Sequence, residues 1–247
     1  TVGRSESTDF ASFPAADEVL GCDERDPADV DLYNNAAIKY PYAENAYLIF
    51  TSMYHHTGDN LDVHLAVSRD GIHWSRPERR PFIENGLPGT MDDATVYCGA
   101  GVLRTGDELS MYYHASTARH NQVYPQWVSQ DGVYTRATLR LDGYVAMQAA
   151  KAPAEFVTHP LTFSGSRLEL NADVHEGGWL RIALRDTGGK TVSGFSLEDC
   201  VPVTGDSVRH VVSWKGGADL SALVGKPTAL YCVAQSASLY AFQFVEG

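Results

Sequence analysis

No stretch of the chain approaches the roughly 20 apolar residues that a membrane-crossing helix needs. No segment holds a sustained helical period of apolar positions either, which removes helical bundles from consideration. Basic residues are scarce: 19 Lys and Arg stand against 31 Asp and Glu, for a formal charge of −12. A surface that negative repels phosphate backbones and anionic lipid, so neither nucleic acid nor membrane is expected as a partner. There are only four cysteines, at positions 22, 98, 200 and 232, and none forms a C-x-x-C pair. A structural zinc site of that kind is therefore not expected. Cys200 and Cys232 fall in the same half, where they either pair or lie as two buried thiols. A G-x-S-x-G elbow, a phosphate-binding Walker sequence and a dinucleotide fingerprint are all absent. No metal and no other cofactor is expected. The chain starts at Thr1 with nothing near it that looks like a signal peptide, which leaves targeting open.

What is present is enough for a globular protein. Hydrophobic residues make up 44% and charged residues 20% of 247, which fits one large or two ordinary domains. A short pattern repeats: Ser7-Thr8-Asp9-Phe10-Ala11-Ser12-Phe13 and Ser68-Arg69-Asp70-Gly71-Ile72-His73-Trp74 stand 61 residues apart. A weaker copy, Ser129-Gln130-Asp131-Gly132-Val133-Tyr134, follows after another 61. The chemistry is that of a turn, with Asp capping backbone N–H groups and Gly supplying positive φ. Between the copies, Asp29 to Ile38 aligns with Asp93 to Val102, pairing Tyr33 with Tyr97. Ser52-Met53-Tyr54 also aligns with Ser110-Met111-Tyr112 if the intervening hairpin is shorter in the second unit.

Short strands between turns at a period of about sixty residues predict the blades of a β-propeller. Two blades, roughly 22–80 and 86–145, follow the last strand of an earlier one at 1–13. Two blades cannot close a ring. Further blades before Thr1, or another subunit, are expected to cover the open faces.

Beyond Tyr144 an Ala-rich connector leads to strands expected at 167–172, 179–185, 208–214, 229–234 and 239–245. Glu176-Gly177-Gly178, Thr187-Gly188-Gly189 and Lys215-Gly216-Gly217 separate them. Leu168 and Leu170 alternate with Arg167, Glu169 and Asn171, and Leu180, Ile182 and Leu184 with Arg181, Ala183 and Arg185, as a half-buried strand requires. The reading is thus all-β: a partial propeller of two blades plus one strand over 1–147, then an antiparallel β-sandwich over 158–247.

The turn Ser68-Arg69-Asp70-Gly71-Ile72-His73-Trp74 resembles the strand ends of five-bladed propeller glycosidases of glycoside hydrolase families 32 and 43. Arg25-Asp26-Pro27 is similar to an Arg-Asp-Pro motif of the family 32 fructan hydrolases. The segments Gly194 to Cys200, Val211 to Lys215 and Leu239 to Phe244 resemble a sandwich appended to bacterial proteins of this kind. The resemblance implies a carbohydrate-active protein, part of a glycoside hydrolase or a non-catalytic carbohydrate-binding or scaffold module of the same fold. It also implies an extracellular or periplasmic setting, which the residues themselves leave open.

Glycoside hydrolysis needs two carboxyl groups facing one bond. The resemblance puts such acids where innermost strands begin, expected near Asn35 and Gly99, which are not acids, and puts the main set on earlier blades. Asp29 and Asp93, at matched repeat positions, are the best catalytic pair available, though Asp at these places also suits a turn cap. Substrate-binding candidates are Tyr33, Asn34, Asn35, His55, Tyr97 and His114, with His56 beside them. Aromatic faces stack on sugar rings, while amides and imidazoles bond hydroxyls. His55 and His56 cannot both face one side of a strand, so a metal site shared by that pair is not expected. Trp179 and Trp214 suit either a sugar platform or the core, with the core favoured.

Overall fold

The computed structural model describes residues 1–123 and 132–247, and the third Ser-x-Asp copy, at 129–131, lies outside them. The chain is all-β, with one short 3-10 turn at Ser221–Leu223 among the described residues. It divides into two compact units, Thr1–Thr138 and Leu139–Gly247.

The first unit opens with a hairpin of β1 (Val2–Arg4) and β2 (Asp17–Leu20). An antiparallel meander follows. Its first strand comes in two pieces, β3 (Val30–Leu32) and β4 (Ala37–Lys39), both paired with β5 (Tyr47–His55). Next are β6 (Asn60–Ser68) and the short β7 (Trp74–Ser75). A second meander repeats the plan: β8 (Thr95–Cys98) and β9 (Leu103–Thr105) pair with β10 (Glu108–Ser116), and β11 (Gly132–Arg140) lies beyond. One parallel bridge, Leu61 to Thr95, joins the two.

Tyr33 and Tyr97 occupy equivalent places. The Tyr33 N–H donates to the Ser52 carbonyl on β5, and Tyr97 faces His114 on β10.

Several expectations need correction. The strand expected within 1–13 is β1, and it pairs with a further strand, β2, beyond that span. A propeller blade has four strands, but the second meander has three among the described residues, counting β8 and β9 as one. The first strands begin at Val30 and Thr95, so Asn35 and Gly99 sit in the break between pieces, and Asp29 and Asp93 stand just ahead of the strands. Opposite Leu32 is Met53, whereas opposite the equivalent Val96 is Ala115, so the aligned Met53 and Met111 are not structural counterparts.

Both Ser-x-Asp turns close with the same bonds. In the first, Ser7 Oγ accepts from the N–H groups of Asp9 and Phe10, and Asp9 Oδ1 accepts from those of Ala11 and Ser12. In the second, Ser68 Oγ serves Asp70 and Gly71, and Asp70 Oδ1 serves Ile72 and His73. The residue after each Asp is left-handed: Phe10 at φ 56° and Gly71 at φ 75°. Gly carries that conformation without strain, and Phe does not.

Strands β5 and β6 are buried on both faces and read as nearly continuous apolar runs. On one face Ile49, Met53 and Ala66 join Val2, Leu20, Val30 and Leu32 in a core. Asp26, from the Arg-Asp-Pro triplet, is a structural carboxylate. It takes both guanidinium nitrogens of buried Arg76, a bond from Arg79 at 3.1 Å, and the Asp23 N–H at 2.8 Å. Burial alone would raise its pKa, but the arginine bonds outweigh that and hold it ionised.

The second unit is a single antiparallel sheet. Its centre is β14 (Arg167–Arg185) paired along its length with β16 (Ala229–Val245). At Val174–Trp179 the register breaks, and the halves on either side match the separate strands read from the sequence. The two layers expected of a sandwich are thus halves of the same bent strands. Leu168 and Leu170 from one half and Leu180, Ile182 and Leu184 from the other fill one core with Val212 and Trp214. Strand β15 (Gly205–Val211) borders β14, while β12 (Met147–Ala149), from the stretch read as a connector, and β13 (Ala154–Val157), just after it, pair with β16. Trp214 is core, its indole N–H donating to the Ile182 carbonyl at 2.9 Å. Cys200 and Cys232 are buried free thiols, and burial pushes the Cys232 thiol up to about 12.

Candidate functional site

Alternation along the strands of the first unit sorts its polar side chains onto two faces. Asp31 and Tyr33 share one face with Tyr54 and His56, and His55 projects from the other. The first face carries a run of rings. His56 lies 4.5 Å from Tyr54, and His120 stands edge-on to Tyr54 at 4.8 Å and to Tyr33 at 4.6 Å. Tyr33 continues to Tyr97 at 6.1 Å, then His114 at 6.2 Å and Tyr134 at 5.5 Å. Tyr33 is 52% exposed and Tyr134 is 84% exposed, so ring surface is open to solvent at two points of the run.

A polar knot fixes one end of it. Asp59, at φ 50°, accepts from the Tyr54 hydroxyl at 2.9 Å and from the Asn121 N–H at 3.0 and 3.1 Å. The Asn121 amide also donates to the Tyr54 oxygen, the His120 N–H donates to the Asp59 carbonyl, and Arg119 donates to the Gly58 carbonyl. Burial pulls Asp59 upward, but these donors outweigh it and keep it ionised. The Tyr54 phenol is raised by its bond to Asp59, and burial pushes Tyr97 up to about 12. Both stay neutral at physiological pH. At the exposed edge, His56 Nε2 lies 2.8 Å from Asp31 Oδ2, where an imidazole and a carboxylate meet solvent beside the rings.

The sequence candidates divide accordingly. Tyr33, Tyr97, His114 and His56 come together on this face. His55 lies on the opposite one, 3.1 Å from Asp62. Asn34 is structural: its side chain accepts the Ser52 N–H at 2.7 Å, replacing a ladder bond in the gap between β3 and β4. Exposed Asn35 accepts the Ala37 N–H at 3.3 Å.

Asp29 takes the Thr57 N–H at 3.4 Å, and the Thr57 bonds hold its carboxyl below the usual range. Asp93 takes the Gly89 N–H at 2.7 Å. Each therefore caps a turn, and a carboxyl held ionised like Asp29 is suited to a base or nucleophile but not to a proton-donating acid.

Tyr54, His120, Asp59 and Asn121 were not singled out from the sequence. Tyr54 is signalled by its parity with His56, whereas His120 and Asn121 reach the site through contacts with Asp59, 61 and 62 residues away in the chain. In the second unit Trp179 lines a cleft of about 360 Å³ with Arg181, Leu197, Glu198, Pro202 and Val233.

No protein-family model matches the chain, and no curated protein matches it. Among solved structures it is similar to a glycoside hydrolase family 43 arabinoxylan arabinofuranohydrolase from Bacillus subtilis, in complex with cellotetraose. The identity is 11% and the TM-score 0.27, and the match takes in 88% of this chain. The chain spans about half of that structure, 55% of its length, and at such values no shared family is shown.

Proposed function

We propose that the chain binds carbohydrate through the aromatic face of its first unit. The observation that carries this reading is the continuous run from His56 to Tyr134, with exposed Tyr33 beside the Asp31–His56 pair. A sugar offers an apolar ring face to an aromatic side chain and hydroxyls to carboxylates and imidazoles, and this surface supplies both. Asp29 and Asp59 are committed to turns, whereas Asp31 is an exposed carboxylate paired with His56 beside the rings.

A second reading, a part of a glycoside hydrolase, rests on the matched placement of Asp29 and Asp93 just ahead of β3 and β8. Catalysis would need two carboxyl groups roughly 5 to 9.5 Å apart with one of them able to donate a proton.

The two readings separate in one set of measurements. Calorimetry against a panel of plant and microbial oligosaccharides is expected to find binding that weakens at least about ten-fold, roughly 1.4 kcal/mol, in Tyr33→Ala. A parallel screen with aryl glycosides is expected to show no turnover. Turnover abolished by Asp29→Asn or Asp93→Asn would establish the hydrolase reading instead.

A further inference from the structure

From the opposite face of β5 and β6, we propose that His55, Asp62 and His64 form a binding site for a divalent transition-metal ion of the zinc type. The three alternate inward from adjacent antiparallel strands: Asp62 lies opposite Met53, and His55 opposite Asn60, so His55 reaches Asp62 diagonally. One ligating atom from each residue falls within 4.8 Å of the others. His55 Nε2 is 3.1 Å from Asp62 Oδ2, and His64 Nε2 is 3.0 Å from Asp62 Oδ1. Oxygen and nitrogen ligands held at about 2.0–2.2 Å by a tetrahedral ion lie about 3.3–3.6 Å apart, so small side-chain adjustments complete the geometry.

A second observation points the same way. Asp62 is 7% exposed and His64 is 2% exposed. Asp62 Oδ1 and both His64 ring nitrogens are buried without a hydrogen-bond partner among the described residues, because the 3.0 Å contact is not aligned as a hydrogen bond. Buried polar atoms in folded proteins are almost always satisfied, and leaving three together unsatisfied is costly. A cation between them uses the lone pairs of all three residues. Two imidazoles and one carboxylate suit zinc-like ions, whereas calcium and magnesium call for oxygen donors throughout. His55, with its side chain 26% exposed, marks the side from which an ion enters. Three protein ligands leave a fourth position for water or another donor.

The test begins with the full chain stripped by a chelator. Titration with zinc chloride, followed by calorimetry and thermal unfolding, is expected to give one ion per chain and a higher Tm. Calcium or magnesium at the same concentration is expected to leave Tm unmoved. Cobalt(II) is expected to give the visible absorption of a tetrahedral site. His55→Ala, near the surface, and the near-isosteric Asp62→Asn, both checked for fold by circular dichroism, are each expected to weaken zinc binding at least ten-fold. His56→Ala, on the other face, is expected to bind zinc as the wild type does. Absence of stoichiometric uptake overturns the proposal. So does wild-type zinc affinity in either His55→Ala or Asp62→Asn, because the ion would then sit elsewhere, for example at the exposed His56–Asp31 or His73–Asp70 pairs.

Discussion

Single residues explain the most legible part of this molecule. The Ser-x-Asp turns could be read from letters alone because every partner lies within three residues, so the bond set travels with the motif. Their carboxylates have a consequence in acid. The His73 side chain is the largest influence holding Asp70 far below the usual carboxyl value of 3.8, and the N–H groups of His73 and Ile72 add to it. A carboxyl whose folded pKa is depressed contributes stability that is fully present above the unfolded pKa and is lost as pH falls through the folded one. The first unit is therefore expected to lose stability progressively below about pH 3.8, as Asp70 and the equivalent Asp9 take up protons. Asp70→Asn should lower the melting temperature at pH 7 and flatten its decline between about pH 4 and pH 2. Thermal unfolding across that range checks it, and parallel curves for both proteins would count against the assignment.

At the scale of elements, the long strands of the second unit were legible, but the short β12 and β13 were not, and neither was strand continuity. The expected 167–172 and 179–185 are one strand, β14, because residues 175–178 form a bulge opposite Ser236 rather than a turn to a new partner. The Glu176-Gly177-Gly178 sequence signals a reversal equally well in either case. What decides it is that β16 continues past the bulge, a contact about sixty residues away in sequence.

Gly178 shows how tight the bulge is. A Cβ there would lie 2.5 Å from the Ser236 carbonyl oxygen and 2.6 Å from that of Gln235, both backbone atoms that cannot swing aside. Gly178→Ala is expected to cost about 1–3 kcal/mol, the usual range for overpacking. Gly216→Ala, where a Cβ meets nothing within 4 Å, should fall within about 0.5 kcal/mol of wild type. Urea denaturation of the two variants makes the comparison. The ring face was half legible for the same kind of reason. Tyr33 and Tyr97 carry a repeat, but His120 enters only because Asp59 binds the backbone beside it.

For the whole molecule, the question is where the second unit begins as a folding body. The sequence places its start at 158, after the Ala-rich stretch. The bonds argue for 139. Asn171 is 4% exposed, and its side chain is satisfied from residues 140 and 141: it accepts from Arg140 Nε at 2.9 Å and donates to the Leu141 carbonyl. Arg140 also binds Asp206 at 2.7 Å. Strands β12 and β13 line β16 from Leu239 back to Tyr231, and without them that edge would present unpaired backbone groups. A bare edge of this kind both loses ladder bonds and invites pairing between chains. Residues 139–247 expressed alone are therefore expected to unfold in one cooperative transition with a β-type circular dichroism spectrum. Residues 158–247 lack seven strand residues paired to β16 and leave the Asn171 amide buried without its partners. At about 1 kcal/mol for each net hydrogen bond, that loss is a large share of the 5–15 kcal/mol available to a whole domain. The shorter segment should melt well below the longer one, or associate through β16 in sedimentation experiments. Equal melting temperatures and a monomeric shorter segment would show that residues 139–157 decorate the sheet without helping to build it.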